Sequence, residues 1–176
     1  PKMLYQASRD GWNASEFHSK CDNQGPTLTV VRTSEGYVFG GFTDKPWSNR
    51  SNGSYVSSNE AFLFGLHCYG ESNPIKMEIK SDRSTYAMCC HSDYGPVFGG
   101  GFDLRIGNGR FKTFVSKRVT WGLPKNGEFL KVDFKSKKGK YTTSLWQARK
   151  SSNSSKYICD KECGLTKNSC KRKTLL

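Results

Sequence analysis

Two glycine-rich segments flanked by aromatic residues constrain the fold of this 176-residue chain more than any other feature. Residues 97–102 read VFGGGF, and residues 38–42 read VFGGF. Glycine inside a strand pattern marks a bend, a bulge or the close approach of another backbone. We therefore expect both segments to be strands at the centre of a sheet structure, with their phenylalanines in the core. The alternative is a loop that cradles a phosphate, but the spacing fits neither the P-loop nor the dinucleotide fingerprint.

Short segments of β-branched and alternating apolar residues predict that most of the chain forms strands. Asn13 followed by Glu16 predicts a helix cap, with Phe17 directed inward and Trp12 packed before the cap. Residues 43–58 form a polar run long enough to be a binding loop. The predicted strands are residues 3–7, 27–32, 37–42, 61–66, 74–80, 85–90, 97–102, 111–115, 129–134 and 141–146.

Charge is distributed unevenly along the chain. Residues 1–124 hold 14 Lys and Arg against 11 Asp and Glu, a net charge of +3. Residues 125–176 hold 14 against 4, a net charge of +10. A basic end attracts polyanions, although it can also serve as a solvated, solubilising tail. We expect a domain over residues 3–148, followed by a basic, cysteine-bearing tail over residues 149–176.

Seven cysteines and four sequons favour a secreted, disulfide-bonded glycoprotein. The odd number of cysteines leaves one thiol free or bonded to another chain, which would make a homo-oligomer. If Asn13 caps a helix, its sequon is unused. The disulfide candidates are Cys21, Cys68, Cys89, Cys90, Cys159, Cys163 and Cys170. The glycosylation candidates are Asn49, Asn52 and Asn153.

Metal and thiol chemistry are weaker interpretations of the same residues. Cys159, Cys163 and Cys170 have no histidine nearby in sequence to complete a zinc site, so we expect disulfides there rather than a metal. His18 and Cys21 lie three residues apart on the predicted helix and could meet, as a thiol enzyme would require. A structural role for His18 is the better interpretation. We expect no enzyme activity and no cofactor.

Seven motifs follow one another along the chain: LYQASRDG at 4–11, FHSKCD at 17–22, GPTLT at 25–29, GYVFGGFT at 36–43, PW at 46–47, AFLF at 61–64 and YGPVFGGGFDL at 94–104. In this order they resemble the TLDc domain, the domain of the oxidation-resistance proteins. The resemblance covers about 100 residues and fades after residue 106.

The resemblance implies an α+β, β-rich fold in which two antiparallel sheets pack as a sandwich with a few short helices. It also implies a largely non-catalytic role: protection against oxidative stress, and binding of intracellular members to the vacuolar proton pump. The Lys-rich segments after residue 106 and the cysteine tail depart from the family pattern.

We therefore predict a non-enzymatic, extracellular interaction or structural protein whose basic C-terminal region binds an anionic partner or surface. That partner would be a sulfated glycan, an acidic protein or a mineral. Nucleic acid fits less well, because few aromatic residues lie among the basic ones. The alternative is a cytoplasmic stress-protection factor that acts through the proton pump. The predicted polyanion-binding residues are Lys131, Lys135, Lys137, Lys138, Lys140, Lys171, Arg172 and Lys173.

Overall fold

A computed structural model describes residues 2–33, 36–67, 74–106, 114–115, 121, 141–147, 149–150 and 157–158; beyond residue 106 it describes a side chain only at Trp121. The helices are α1 Ala7–Asp10, α2 Ala14–Cys21 and a 3₁₀ helix Ser81–Tyr86. The strands are β1 Lys2–Gln6, β2 Thr27–Thr33, β3 Val38–Thr43, β4 Ser54–Val56, β5 Phe62–His67, β6 Ile75–Glu78, β7 Met88–Cys90, β8 Val97–Phe98, β9 Leu104–Arg105, β10 Phe114–Val115, β11 Tyr141–Gln147, β12 Arg149–Lys150 and β13 Tyr157–Ile158.

A six-stranded antiparallel sheet runs in the order β1-β11-β2-β3-β5-β6. β2 and β3 form a hairpin, closed by a hydrogen bond from the Thr33 amide to the Tyr37 carbonyl. β11 inserts between β1 and β2, although it lies more than 100 residues further along the chain. The prediction that residues 141–146 form a strand of the domain is confirmed.

A second antiparallel sheet has the order β10-β9-β8-β7-β4 and lies against one face of the first. The two glycine-rich segments belong to different sheets and face each other: a Cβ at Gly41 would lie 2.7 Å from the Phe98 ring. The Trp47 ring packs edge-on against both Phe17 and Phe98, with centroids 5.6 and 5.5 Å apart. The predicted two-sheet, β-rich fold is confirmed.

Four local predictions need correction. The predicted strand 97–102 ends at Phe98, because residues 99–102 form a turn closed by the Phe102 amide and the Gly99 carbonyl. The predicted strand 3–7 ends at Gln6, because residues 7–10 form α1, where the Asp10 carboxylate accepts a hydrogen bond from the Gln6 amide. The predicted strand 85–90 is shortened to Met88–Cys90, because residues 81–86 form the 3₁₀ helix. The polar run 43–58 contains β4, which pairs with β7.

The predicted helix cap is present with different bonds. Asn13 is the N-cap residue of α2, but its side chain makes no capping hydrogen bond to the backbone. Its amide instead donates to the Glu16 carboxylate over 3.3 Å. Phe17 is buried as expected, and Trp12 packs against the core.

Two predictions fall largely outside the described residues: the strand 129–134, and residues 111–113 of the strand predicted at 111–115. Among the helices that the structure describes, none is long and apolar enough to cross a membrane. The division of the chain at residue 148 stays a prediction.

Candidate functional site

The glycine turn at residues 99–102 is built for packing rather than for binding a phosphate. Gly99 has φ +87° and Phe102 has φ +54°, and the Phe102 amide donates to the Gly99 carbonyl. A Cβ at Gly99 would overlap the carboxylate of Asp103, which is itself buried. A carboxylate in this position repels a phosphate. The phosphate-cradle alternative is therefore rejected.

Aromatic side chains hold this turn on both sides, a feature that the sequence analysis missed. The Tyr55 hydroxyl donates to the Gly100 carbonyl over 2.9 Å, and the Tyr55 and Tyr86 rings meet edge-on at 5.1 Å. These two tyrosines are 42% and 40% exposed. On the other side, the Tyr94 ring packs edge-on against Phe102 at 5.6 Å. The missed signal was Tyr55, an aromatic residue inside a run of Ser, Asn and Gly.

The thiols in the described part of the chain are unsuited to nucleophilic catalysis. Cys21, Cys89 and Cys90 are free and buried, so the structure does not place them in disulfides. Burial raises the pKa of the Cys21 thiol to about 12, and burial followed by the neighbouring Cys90 raises the pKa of Cys89. A thiol held in its protonated form is a poor nucleophile. Cys68, Cys159, Cys163 and Cys170 lie outside the described residues.

His18 has the structural role that the sequence analysis favoured. Its Nδ1 lies 2.8 Å from the Asp22 carboxylate, and its Nε2 donates to the His91 carbonyl over 2.9 Å. These bonds tie α2 to the loop before β8, so His18 is engaged with Asp22 and His91 rather than with Cys21. Within the described residues, no three His, Cys, Asp or Glu side chains come together as a metal site requires.

The basic residues predicted to bind a polyanion lie outside the described residues, but the strand that follows them is placed. Lys140 is one peptide bond from Tyr141, the first residue of β11. Tyr141 pairs with Thr33, and Thr142 pairs with Arg32, whose side chain is exposed. The residue that follows Lys140 in the chain therefore lies opposite the last residue of β2, next to the position at which Arg32 carries a positive charge.

The sequons at Asn49 and Asn52 lie on exposed positions of the loop between β3 and β4. Asn153 lies outside the described residues. Exposure is compatible with glycosylation and does not require it, so the use of these sites stays a prediction.

The model of the TLDc domain family matches residues 1–137. This chain belongs to the TLDc domain family. It is 28% identical over 68 residues to MTOR-associated protein MEAK7 of Danio rerio, covering 39% of this chain and 15% of that protein. It is 28% identical over 97 residues to TBC1 domain family member 24 of Xenopus tropicalis, covering 55% of this chain and 16% of that protein. It is 27% identical over 74 residues to GTPase-activating protein skywalker of Drosophila melanogaster, covering 38% of this chain and 13% of that protein.

The matched TLDc region is about one sixth of the length of these curated relatives. They are intracellular proteins, and this finding overturns the prediction that the chain is secreted. That prediction relied on the number of cysteines and on the sequons, and a Ser- and Asn-rich chain also produces sequons by chance. Sulfated glycan and mineral belonged to the extracellular setting and are not retained as partners.

Proposed function

We propose that this TLDc chain is a non-enzymatic interaction module whose basic C-terminal region binds an acidic protein partner. The observation that carries the proposal is the division of charge, with +10 of the net +13 in residues 125–176. Such a concentration of ammonium and guanidinium groups attracts acidic surfaces and raises the rate of encounter with them.

The sheet supports this role by anchoring the chain immediately after the basic run. β11 pairs with β2 over seven residues, from Tyr141 opposite Thr33 to Gln147 opposite Thr27. It pairs with β1 on its other side. Pairing with β2 reaches the first residue of β11, whereas pairing with β1 begins only at Ser144, so β2 alone places Tyr141. A segment attached to an ordered strand loses less conformational entropy on binding than a free one.

The buried thiols support the non-enzymatic part of the proposal. An antioxidant enzyme that used Cys21 would need a reactive thiolate in contact with solvent. Cys21 is fully buried, and its pKa is raised to about 12. Cys90 is 1% exposed.

Binding to poly-glutamate at low salt, measured by fluorescence anisotropy, tests the proposal. The test variant replaces Lys135, Lys137, Lys138 and Lys140 with Gln. The matched control replaces the exposed Lys2, Lys45, Lys76 and Lys80 with Gln, which removes the same charge from the body of the domain. We expect the test variant to bind on the order of tenfold more weakly, because each lost charge contact weakens a polyanion complex. We expect the control to bind within about twofold of the parent, and raised salt to weaken parent binding most.

Equal losses of affinity for poly-glutamate in both variants would mean that binding depends only on net charge. Unchanged affinity of the test variant would exclude these four lysines from the binding site. Either result contradicts the proposal. Binding of the parent to vesicles that contain phosphatidylserine, without binding to poly-glutamate, would replace the acidic protein with a membrane surface.

The second candidate is an intracellular stress-protection factor that acts through the vacuolar proton pump. Membership of the TLDc family and the intracellular relatives favour it. Co-purification of the tagged chain with the pump separates the candidates. The second candidate predicts capture that survives replacement of the four lysines, whereas the first predicts that any capture is lost with them.

A further inference from the structure

Tyr55 of β4 and Tyr86 at the end of the 3₁₀ helix form an exposed aromatic pair, which we call the tyrosine pair. The two residues are 42% and 40% exposed. Within residues 2–33, 36–67 and 74–106, no other large apolar side chain is as exposed. Single exposed apolar residues are normal on a protein surface, whereas adjacent ones indicate an interaction site.

Both rings are held in place by the domain beneath them. The Tyr55 hydroxyl donates to the Gly100 carbonyl over 2.9 Å. A Cβ at Gly100 would lie 2.9 Å from the Tyr86 Cβ, so Tyr86 packs directly against the glycine turn. The Ser58 amide, just after β4, donates to the Ser84 carbonyl of the 3₁₀ helix over 3.0 Å. Rings that are already ordered lose little conformational entropy when a partner binds.

The arrangement of the two rings favours a proline-rich peptide. Their centroids are 5.1 Å apart and their planes differ by 81°, so two apolar ring surfaces meet nearly at a right angle. Proline rings pack on aromatic surfaces, and a proline-rich segment is extended before it binds. Successive nucleic-acid bases stack parallel to one another, so perpendicular rings suit them less well.

The charges beside the tyrosine pair favour acidic residues next to those prolines. Lys80 and Arg83 are both exposed. Side chains three residues apart in a 3₁₀ helix lie on the same side, so Arg83 is beside Tyr86. Asp82 is the one acidic residue in residues 80–86, and its exposed carboxylate lies 3.4 Å from Arg83. The remaining positive charge complements an acidic segment.

We propose that the tyrosine pair binds an extended, proline-rich segment of a partner protein, with acidic residues of that segment beside Lys80 and Arg83. The inference deepens the proposed function and rests on it for the acidic character of the partner. The basic C-terminal region supplies most of the charge, and the tyrosine pair selects the segment, as tyrosines at the centre of interfaces do.

Fluorescence anisotropy with two labelled peptides of equal length and charge tests the inference. One peptide repeats Glu-Pro-Pro-Glu three times, and the control peptide has Gly in place of Pro. We expect the parent to bind the proline peptide about tenfold more tightly than the glycine peptide, because the prolines contact the tyrosine pair. Tyr86→Ala should remove this preference. The matched control is the exposed neighbour Thr85→Ala, which should keep the preference within about twofold of the parent.

An NMR titration of the parent provides a readout that needs no variant. We expect the proline peptide to shift the backbone amides of Tyr55, Tyr86 and Gly100, and the glycine peptide to leave them in place. Equal affinity of the parent for the two peptides, a preference that survives Tyr86→Ala, or shifts confined to other residues would each overturn the inference. Binding of oligothymidylate that Tyr86→Ala weakens, without a preference between the peptides, would assign the pair to nucleic acid instead.

The variant with Gln at positions 135, 137, 138 and 140 separates this inference from the proposed function. Unchanged affinity of that variant for poly-glutamate, with the preference for the proline peptide retained, would contradict the proposed function alone. A loss of affinity for poly-glutamate in that variant, with no effect of Tyr86→Ala on the peptide preference, would contradict the tyrosine pair alone.

Discussion

The Phe98 ring lies directly against the backbone of Gly41, so the two glycine-rich segments meet across the sandwich. A Cβ at position 41 would lie 2.7–2.9 Å from three atoms of that ring. Phe98 is fully buried, and Trp47 packs edge-on against it. The ring therefore has no room to retreat, and the absence of a side chain at Gly41 sets how closely the sheets approach.

We expect Gly41→Ala to lower the free energy of unfolding by about 1–3 kcal/mol, the usual cost of overpacking a dense core. Urea unfolding followed by tryptophan fluorescence measures it. Gly95→Ala is the control, because a Cβ there would make an ordinary contact of 3.5 Å with the Ile106 carbonyl. Equal stability of Gly41→Ala and the parent would contradict the packing.

A double-mutant cycle tests the buried hydrogen bond from Trp47 Nε1 to Thr27 Oγ1, which is 2.9 Å long. Thr27→Val leaves the indole N–H buried without its acceptor, at an expected cost of about 1–3 kcal/mol. Trp47→Phe should cost more, because it also leaves a cavity. We expect the double mutant to be less destabilised than the sum of the two, by about 1 kcal/mol. If the two changes in the free energy of unfolding were strictly additive, this hydrogen bond would contribute nothing to stability.

Asp10 gives the domain a defined acid sensitivity. The hydrogen bond from Arg9 is the main cause that lowers the pKa of Asp10 from 3.8 to about 2. A folded-state pKa below the unfolded value stabilises the protein above pH 3.8, and this stabilisation is lost as the pH falls toward 2. We expect Asp10→Asn to lower Tm by a few degrees at pH 7, with the difference from the parent closing between about pH 4 and pH 2.

The control for this titration is Asp82→Asn. Asp82 is 70% exposed and lies 3.4 Å from Arg83, an ion pair that solvent screens. We expect its Tm difference from the parent to be small at every pH. If the Tm difference between Asp10→Asn and the parent stayed constant down to pH 2, the ionisation of Asp10 would not contribute to stability.

The buried thiols should resist alkylation in the native protein. With iodoacetamide at pH 8, we expect Cys21, Cys89 and Cys90 to stay unmodified until denaturant is added, because burial excludes the reagent and disfavours the thiolate at Cys21 and Cys89. Peptide mapping by mass spectrometry reads each site, and N-acetylcysteine gives the rate of a free thiol. Modification of native Cys21 at that rate would revive the thiol-enzyme hypothesis.

Strands with strong local patterns could be predicted from the sequence. Thr27–Thr33 is β-branched and alternating, and it forms β2 as expected. The segment 38–42 could be identified as a strand because glycine between phenylalanines is typical of a closely packed strand. These signals depend on residues a few positions apart, so they need no knowledge of the partner strand.

Elements that depend on distant contacts could not be predicted in this way. β4 lies in a polar run and becomes a strand because β7 lies beside it. The 3₁₀ helix Ser81–Tyr86 is stabilised by the Ser58 amide, which donates to the Ser84 carbonyl, and by Tyr86 packed at Gly100. The exposed Tyr55–Tyr86 pair was missed for the same reason, since its members are 31 positions apart in sequence.

The sequence by itself determined the family, the β-rich class and the concentration of positive charge in the last third, because motif order, alternation and charge are properties of neighbouring residues. The tertiary structure decided that Gly41 and Phe98 meet, that β11 inserts between β1 and β2, and that Cys21, Cys89 and Cys90 are buried as free thiols. These arrangements join residues up to more than 100 positions apart. They are selected by the burial of the whole core, to which no single segment contributes enough to decide alone.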